Sequence, residues 1–155
     1  MVKVFVVYDT KYGNTKLVAE KIVEGLKEVE GIEVAISDVE GVDLAKVAGS
    51  DAILIGTPNH VGRPARPITK FIDQLGELEL KAKWVAVFDT YMGRDFEKAV
   101  KNMETQLGEK VPRLKLITSG LSVRVGGMEG PIVEGELPKC KDFGKKITAQ
   151  LVRAR

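Results

Sequence analysis

Residues 9–15 combine the side chains and the backbone freedom that can hold a phosphate group without a metal ion. They supply three hydroxyls, one amide and one glycine, at Thr10, Tyr12, Thr15, Asn14 and Gly13. Backbone N–H groups that lead into a helix N-terminus attract anions, and glycine allows the tight turn that gathers them. Lys11 is the only cation among them, which favours a phosphate that is held over one that is transferred. The alternative is an ordinary polar turn with a capped helix, and the spacing alone does not decide between them.

Two other nucleotide-binding loops are absent from the sequence. The pattern G-x-x-x-x-G-K-[ST] does not occur, and no G-x-G-x-x-G follows the first apolar run. A nucleoside triphosphatase loop and a dinucleotide-binding fingerprint are therefore both excluded.

Two later segments carry further candidate residues. Residues 56–64 contain the only histidine, His60, and two prolines that stiffen the chain, whereas Gly62 permits a flexible peptide. A lone loop histidine is typical of a surface residue, so His60 has a structural interpretation as well as a functional one. Residues 89–94 contain Tyr91, an aromatic side chain where a strand is expected to end. Together with residues 9–15, these segments predict a pocket for a planar phosphorylated ligand.

The elements that position these segments follow from the pattern of apolar residues. Short, nearly continuous apolar runs, typical of strands covered on both faces, occupy residues 2–8, 32–36, 52–56, 84–88 and 114–125. Helical spacing of apolar residues lies between and after them, at 15–29, 67–76, 95–108 and 138–152, with a shorter candidate helix near 42–48. In these stripes Val29 and Phe96 are expected to face the sheet.

This alternation predicts an α/β domain of three layers, with a doubly wound, five-stranded parallel sheet. The 155 residues fit a single domain over 1–155. Ligands of such folds bind at the carboxyl ends of the strands, which is where the three candidate segments fall.

The composition excludes several other kinds of site. One cysteine and one histidine rule out an intrachain disulfide framework and argue against a zinc or iron–sulfur site built from protein ligands alone. No apolar run approaches the roughly 18 residues of a membrane span, and the N-terminus lacks a signal-peptide pattern, so a cytosolic location is expected. Three Asn and three Gln beside many Lys and Glu hint at a heat-adapted source.

The three segments resemble the corresponding loops of the flavodoxin family. The family's phosphate loop reads approximately [ST]-x-[ST]-G-x-[ST], and here it reads Thr10-Lys11-Tyr12-Gly13-Asn14-Thr15, with a tyrosine in place of the middle hydroxyl. The stretch Thr57-Pro58-Asn59-His60 is also similar to the matching loop in the flavodoxin domains of flavo-diiron proteins. The resemblance covers nearly the whole chain, and the uninterrupted fifth strand is typical of the short-chain form.

The resemblance implies the strand order 2-1-3-4-5 and FMN as the cofactor. It implies that the FMN phosphate is held by Thr10, Tyr12, Gly13, Asn14 and Thr15. It places one side of the isoalloxazine ring against Thr57, Pro58, Asn59, His60 and Gly62, and the other against Asp89, Tyr91 and Gly93. Tyr91 is the best candidate to stack on the ring, because the only tryptophan, Trp84, is expected in the core.

The function implied is that of a low-potential, one-electron carrier, more a redox carrier than a catalyst. An FMN-dependent NAD(P)H:quinone-type reductase is the main alternative, and a homologue that has lost the cofactor is another. A response-regulator receiver domain shares the fold class. It would require paired acids after the first strand, an Asp ending the third and a Lys ending the fifth, whereas those strands end Tyr8-Asp9, Gly56-Thr57 and Ser119-Gly120.

The net charge of +2 sets this chain apart from typical acidic flavodoxins. Arg63, Arg66, Arg94 and Arg124 fall in or just after the candidate segments, which predicts a mixed or basic rim around the flavin. The expected partners are redox proteins, either an acidic iron–sulfur carrier or a reductase, with no nucleic acid and no membrane. We expect a monomer or a weak dimer.

Overall fold

A parallel β-sheet forms the centre of the computed structural model, which describes residues 1–154. Its main strands are β1 (Val2–Tyr8), β2 (Ile32–Asp38), β3 (Ala52–His60) and β5 (Trp84–Tyr91), in the order β2-β1-β3-β5. The outer position beside β5 is shared by β6 (Lys115–Leu116) and β7 (Leu121–Arg124), both parallel to β5. The short strand β4 (Arg63–Pro64) returns antiparallel to the end of β3. The predicted class and strand order are confirmed.

Helices cover both faces of the sheet, which confirms the three layers. They are α1 (Asn14–Leu26), α2 (Leu44–Ala48), α3 (Arg66–Glu77), α4 (Lys98–Lys110) and α5 (Glu136–Arg153). Successive strand residues enter opposite cores: Val6 belongs to the cluster with α1 and α5, and Val7 to the cluster with α3 and α4. Because both faces are buried, the strands contain apolar residues at nearly every position, as predicted.

The fifth strand is split, whereas the sequence predicts one run over 114–125. The ladder beside β5 continues as far as Ile117, whose N–H donates to the oxygen of Val85 at 2.9 Å. The chain then turns toward α4, where the N–H of Gly120 donates to Glu104 Oε2 at 3.1 Å. A Cβ on Gly120 would lie 2.9 Å from the Cβ of Val100, so this approach requires glycine.

Two predicted helix positions are wrong. The structure ends α1 at Leu26, and Val29 is 41% exposed. It begins α4 at Lys98, so Phe96 precedes the helix, is 55% exposed and contacts the ring of Tyr91 edge-on. Apolar spacing continues through both residues, but the helix ends are set by hydrogen bonds that spacing does not encode. Trp84 is partly buried and packs against the buried cluster that includes α1 and α5, in agreement with the expected core position.

Membrane-spanning helices are not found in the described part of the chain, where no helix is both long and apolar enough to cross a bilayer.

Candidate functional site

A cavity of about 270 Å³ opens at the carboxyl ends of β1, β3 and β5. All three candidate segments contribute to its wall, together with the stretch after β7. The lining residues are Thr10, Lys11, Tyr12, Asn14, Thr15, Pro58, Asn59, His60, Thr90, Tyr91, Met92, Val125 and Met128. The structure thus brings together residues that are up to 118 positions apart in sequence, between Thr10 and Met128.

The first segment presents backbone donors to this cavity. The N–H of Gly13 donates to Thr10 Oγ1 at 2.9 Å, and Gly13 has φ 92°, a left-handed conformation that favours glycine. No side chain of the described residues caps the first turn of α1, and that turn contains no acid. The N–H groups of Tyr12, Asn14 and Thr15 have no acceptor within residues 1–154. Free donors at the positive end of a helix dipole form an anion site.

The hydroxyl of Thr15 is turned into the protein. Its Oγ1 lies 3.0 Å from Oγ1 of Thr90, and both side chains are buried. This hydrogen bond joins the first turn of α1 to the end of β5. Thr15 therefore offers a ligand its backbone N–H, while its hydroxyl fixes the position of the segment.

The second segment forms a hairpin between β3 and β4. His60 pairs with Arg63, and the two residues between them have positive φ angles, 53° at Val61 and 83° at Gly62, as in a type I′ turn. Val61 is 93% exposed at the tip. Gly62 lies behind the cavity wall, with its Cβ position 3.4 Å from Lys98 Cδ.

Thr57 lies in the interior, away from the cavity. It is fully buried, and its hydroxyl accepts the N–H of Ala65 at 2.8 Å and donates to the oxygen of Pro58 at 2.9 Å. Thr57 therefore fixes the start of α3 against the end of β3. Pro58, the next residue along the chain, lines the cavity directly.

The third segment contributes Tyr91 to the wall. Its ring is mostly buried and meets Phe96 edge-on, with 5.4 Å between ring centroids. Met92 also lines the cavity and is 43% exposed. Gly93 is exposed, has φ 65° and lies outside the lining.

Asp89 is buried behind the cavity and supports α4. Ser122 Oγ donates to Asp89 Oδ1 at 2.6 Å, and the N–H of Val100 donates to Asp89 Oδ2 at 3.1 Å. Burial raises the pKa of this carboxyl to about 6, although both hydrogen bonds favour the charged form. Asp89 thus supplies the acceptor that the first turn of α4 lacks from its own N-cap, Glu97.

Two charged residues of the first segment, Asp9 and Lys11, interact with neighbouring protein groups. Burial, and then the neighbouring carboxylate of Asp38, raise the pKa of Asp9. The Nζ of Lys11 lies 5.4 Å from the ring centroid of Tyr12, a cation–π distance.

Groups of three or more His, Cys, Asp or Glu that could hold a metal ion are not found in the described part of the chain.

Residues after β7 complete the site in a way that the sequence only hinted at. Val125 and Met128 line the cavity, and the N–H of Val125 donates to the oxygen of Tyr91 at 2.8 Å. A Cβ on Gly130 would lie 2.6 Å from Asn14 Oδ1. The glycines of this stretch were the available signal, because they allow its backbone to approach the first segment closely.

A larger open groove of about 1410 Å³ runs along α3 and meets the cavity at His60. Its walls carry both signs of charge, including Arg66 and Glu40. The N-terminus of α3 offers few donors, because Pro67 has no N–H and the N–H groups of Ile68 and Thr69 both donate to Ala65. The smaller cavity is therefore the better anion site.

Comparison with known proteins gives one consistent family. The family model described as "Flavodoxin domain" matches residues 5–125. The flavodoxin of Aquifex aeolicus (strain VF5) is 35% identical over 96 residues, which are 60% of this chain and 52% of that protein. The chain spans about half the length of the curated relatives it matches.

Solved structures show the same fold over nearly the whole chain. A flavodoxin from the domain Archaea has a TM-score of 0.82 at 25% identity, covering 97% of this chain and 99% of that one. The flavodiiron core Flv1 from Synechocystis sp. PCC6803 has a TM-score of 0.79 at 18% identity, covering 99% of this chain and 37% of that one. At that identity the second likeness concerns the fold alone.

Proposed function

Because the chain belongs to the flavodoxin family, whose members bind FMN, we propose that its cavity binds FMN and that the protein is a low-potential, one-electron carrier. The observation that carries this proposal is the uncapped first turn of α1, with free N–H groups beside a cavity between three strand ends. A phosphate monoester supplies the acceptors that those donors lack.

The residues present fit the two ends of FMN. The phosphate would be held by the backbone of Tyr12, Gly13, Asn14 and Thr15, with Thr10 holding the turn. The ring would lie between the wall of Pro58, Asn59 and His60 and the wall of Tyr91 and Met92. Four residues of the three segments are not part of the lining and would support these walls from behind: Thr57, Gly62, Asp89 and Gly93.

The size and polarity of the cavity suit electron transfer. When bound, FMN supplies the reversible electron acceptor. The cavity is slightly smaller than the roughly 300–1,000 Å³ of typical ligand sites, so a cofactor held there keeps an edge in solvent. Tyr91 and Val125 exclude water on the inner side, and an apolar wall disfavours added negative charge, which lowers the reduction potential.

A titration of the cofactor-free protein with FMN and with riboflavin tests this function. Riboflavin has the same ring but no phosphate, so it is a matched control for the donors of the first segment. We expect FMN to bind on the order of a hundredfold more tightly, since two charge-assisted hydrogen bonds account for such a ratio. Equal affinity for the two flavins, or no binding of either, contradicts the proposal.

The arginines favour an acidic protein as the redox partner. Arg63, Arg66, Arg94 and Arg124 are all exposed, and none of them forms an ion pair within residues 1–154. Many of the chain's lysines, in contrast, are paired with acids, as Lys141 is with Glu28 at 3.0 Å. Free arginines at the same end of the molecule as the cavity would steer an acidic iron–sulfur carrier toward the flavin.

The groove along α3 favours a second candidate, an FMN-dependent NAD(P)H:quinone-type reductase. The groove reaches the cavity at His60 and has room for a second substrate. Steady-state oxidation of NADPH with a quinone by the FMN-loaded protein would support this activity. A protein that accepts electrons only from a redox protein would support the carrier instead.

A further inference from the structure

The side chain of Asn59 connects the two loops on opposite sides of the cavity. Its Oδ1 accepts the N–H of Gly62 at 2.7 Å, and its Nδ2 donates to the backbone oxygen of Asp95 at 3.2 Å. The first bond lies within the β3–β4 hairpin, and the second reaches the segment between β5 and α4. Both ends of the amide are therefore occupied by protein partners of the matching kind, which also fixes its orientation.

The hairpin needs such support because of its turn. Val61 has φ 53°, a conformation that a β-branched residue rarely adopts, and Gly62 follows with φ 83°. The turn is held on one side by the pairing of His60 with Arg63. Within the turn, Gly62 is held by the hydrogen bond from its N–H to Asn59 Oδ1.

A second contact joins the same two loops at their outer side. The stem of Lys98 passes 3.4 Å from the Cβ position of Gly62, and its Nζ pairs with Asp95 Oδ1 at 3.2 Å. Asp95 is therefore held by Lys98 on its side chain and by Asn59 on its backbone. Beyond the ladder, where Pro58 pairs with Thr90, the side chain of Asn59 extends the connection between the two cavity walls into the hairpin and the segment at Asp95.

We propose that Asn59 is a positioning residue, whose amide fixes the Val61–Gly62 turn to the segment at Asp95 and so sets the width of the cofactor cavity. The effect on FMN rests on the proposed function, whereas the effect on the two loops does not. The two halves of the amide are separable by substitution. Asn59→Asp keeps an acceptor for Gly62 and loses the donor to Asp95, and Asn59→Ala loses both.

Amide hydrogen exchange of the cofactor-free protein tests the positioning role without FMN. We expect Asn59→Ala to speed exchange at Gly62 by about fivefold, which corresponds to one net hydrogen bond, and Asn59→Asp to leave it within twofold of the native rate. Lys101→Ala, which removes an ion pair with Glu97 at the same end of α4, is the matched control and should also leave it unchanged. Unchanged exchange in Asn59→Ala, or equal acceleration in both Asn59 variants, overturns the proposal.

Binding of FMN then tests the consequence for the cavity. Both Asn59 variants should raise the Kd for FMN, by about tenfold in Asn59→Ala, and should change the visible circular dichroism of the bound flavin, which a general loss of stability would not alter. Lys101→Ala should change neither. If the native chain binds FMN and Asn59→Ala binds it with the same Kd and the same spectrum, Asn59 does not set the cavity. If the native chain does not bind FMN, the proposed function fails, while the exchange result still decides whether Asn59 Oδ1 holds the Val61–Gly62 turn.

Discussion

Ser122 Oγ lies 2.6 Å from Asp89 Oδ1, and this bond joins the outer strand β7 to the end of β5 directly behind the candidate cavity. The same serine oxygen accepts the N–H of Glu97 at 3.0 Å, and the same carboxylate accepts the N–H of Val100. One buried polar network therefore fixes the outer strand, the third cavity segment and the start of α4. Its one ionisable member, Asp89, makes the stability of this region depend on pH.

The raised pKa of Asp89 predicts that replacing this carboxyl by a neutral side chain stabilises the protein, and that the gain grows as pH rises. Burial raises the pKa of Asp89 from 3.8 to about 6, so the native state holds this proton more tightly than the unfolded chain. The contribution of Asp89 is then most favourable below about pH 4 and is lost as pH rises to about 6. The free energy of unfolding of Asp89→Asn, relative to that of the native chain, should therefore rise by about 2 kcal/mol between pH 4 and pH 7.5.

Urea unfolding at both pH values measures that difference. Glu109→Gln, an exposed carboxyl of α4, is the control and should show the same difference from the native chain at both pH values. A difference for Asp89→Asn that stays constant with pH would show that the buried carboxyl does not titrate in this range.

The buried pair of Thr15 and Thr90 predicts an energetic coupling between α1 and β5. Replacing either residue by valine removes one hydroxyl and leaves the other buried without its partner. The double variant removes both, so it should be about 1 kcal/mol more stable than the sum of the single effects implies. Urea unfolding of the four proteins gives this coupling. Additive effects would mean that the 3.0 Å contact contributes no net hydrogen bond.

The strained turn at Val61 predicts a stabilising substitution. Asn-Gly is the preferred pair in a type I′ turn, because asparagine tolerates positive φ better than valine. Val61→Asn should raise the free energy of unfolding by about 1 kcal/mol. Val29→Asn exchanges an exposed valine at a residue without positive φ and should not stabilise the protein. Equal effects of the two substitutions in thermal unfolding would remove backbone strain as the explanation.

The free arginines predict salt-dependent electron transfer to an acidic partner. Reversing the charges with Arg63→Glu and Arg94→Glu should slow the reduction of a strongly acidic ferredoxin by at least about tenfold at low ionic strength. The difference should disappear near 1 M salt, where the screening length is about 3 Å. Lys146→Glu makes the same kind of change on the exposed side of α5 and should have little effect. Rates that do not respond to the arginine changes would exclude this surface as the docking site.

The course of the sheet was predictable from the sequence because its strands are buried on both faces. Val2–Tyr8 forms a strand as predicted, since every residue of the run except Lys3 is buried. The carboxyl ends of β3 and β5 were not predictable, because they continue past the apolar runs by pairing with each other. Thr57 pairs with Asp89 and Pro58 with Thr90, so these residues of the predicted loops belong to the strands.

The site was predictable as three segments but not residue by residue. Within a strand end, alternate side chains point to opposite sides, and only the register shows that Thr57 and Asp89 turn inward while Pro58 and Thr90 line the cavity. Met92 and Met128 carry no motif, so their place in the wall depends on how distant loops meet. The double hydrogen bond of Asn59 is likewise invisible before Gly62 and Asp95 are brought together.

The break between β6 and β7 provides a place where the chain can be lengthened. The two halves are anchored to β5 independently, through Trp84 and Val85 on one side and through four residues ending at Tyr91 on the other. Ser119, in the gap, is exposed and belongs to neither ladder. A foreign segment spliced in at this residue would interrupt no ladder pairing. The break is therefore suited to carry a second folded domain as an internal graft.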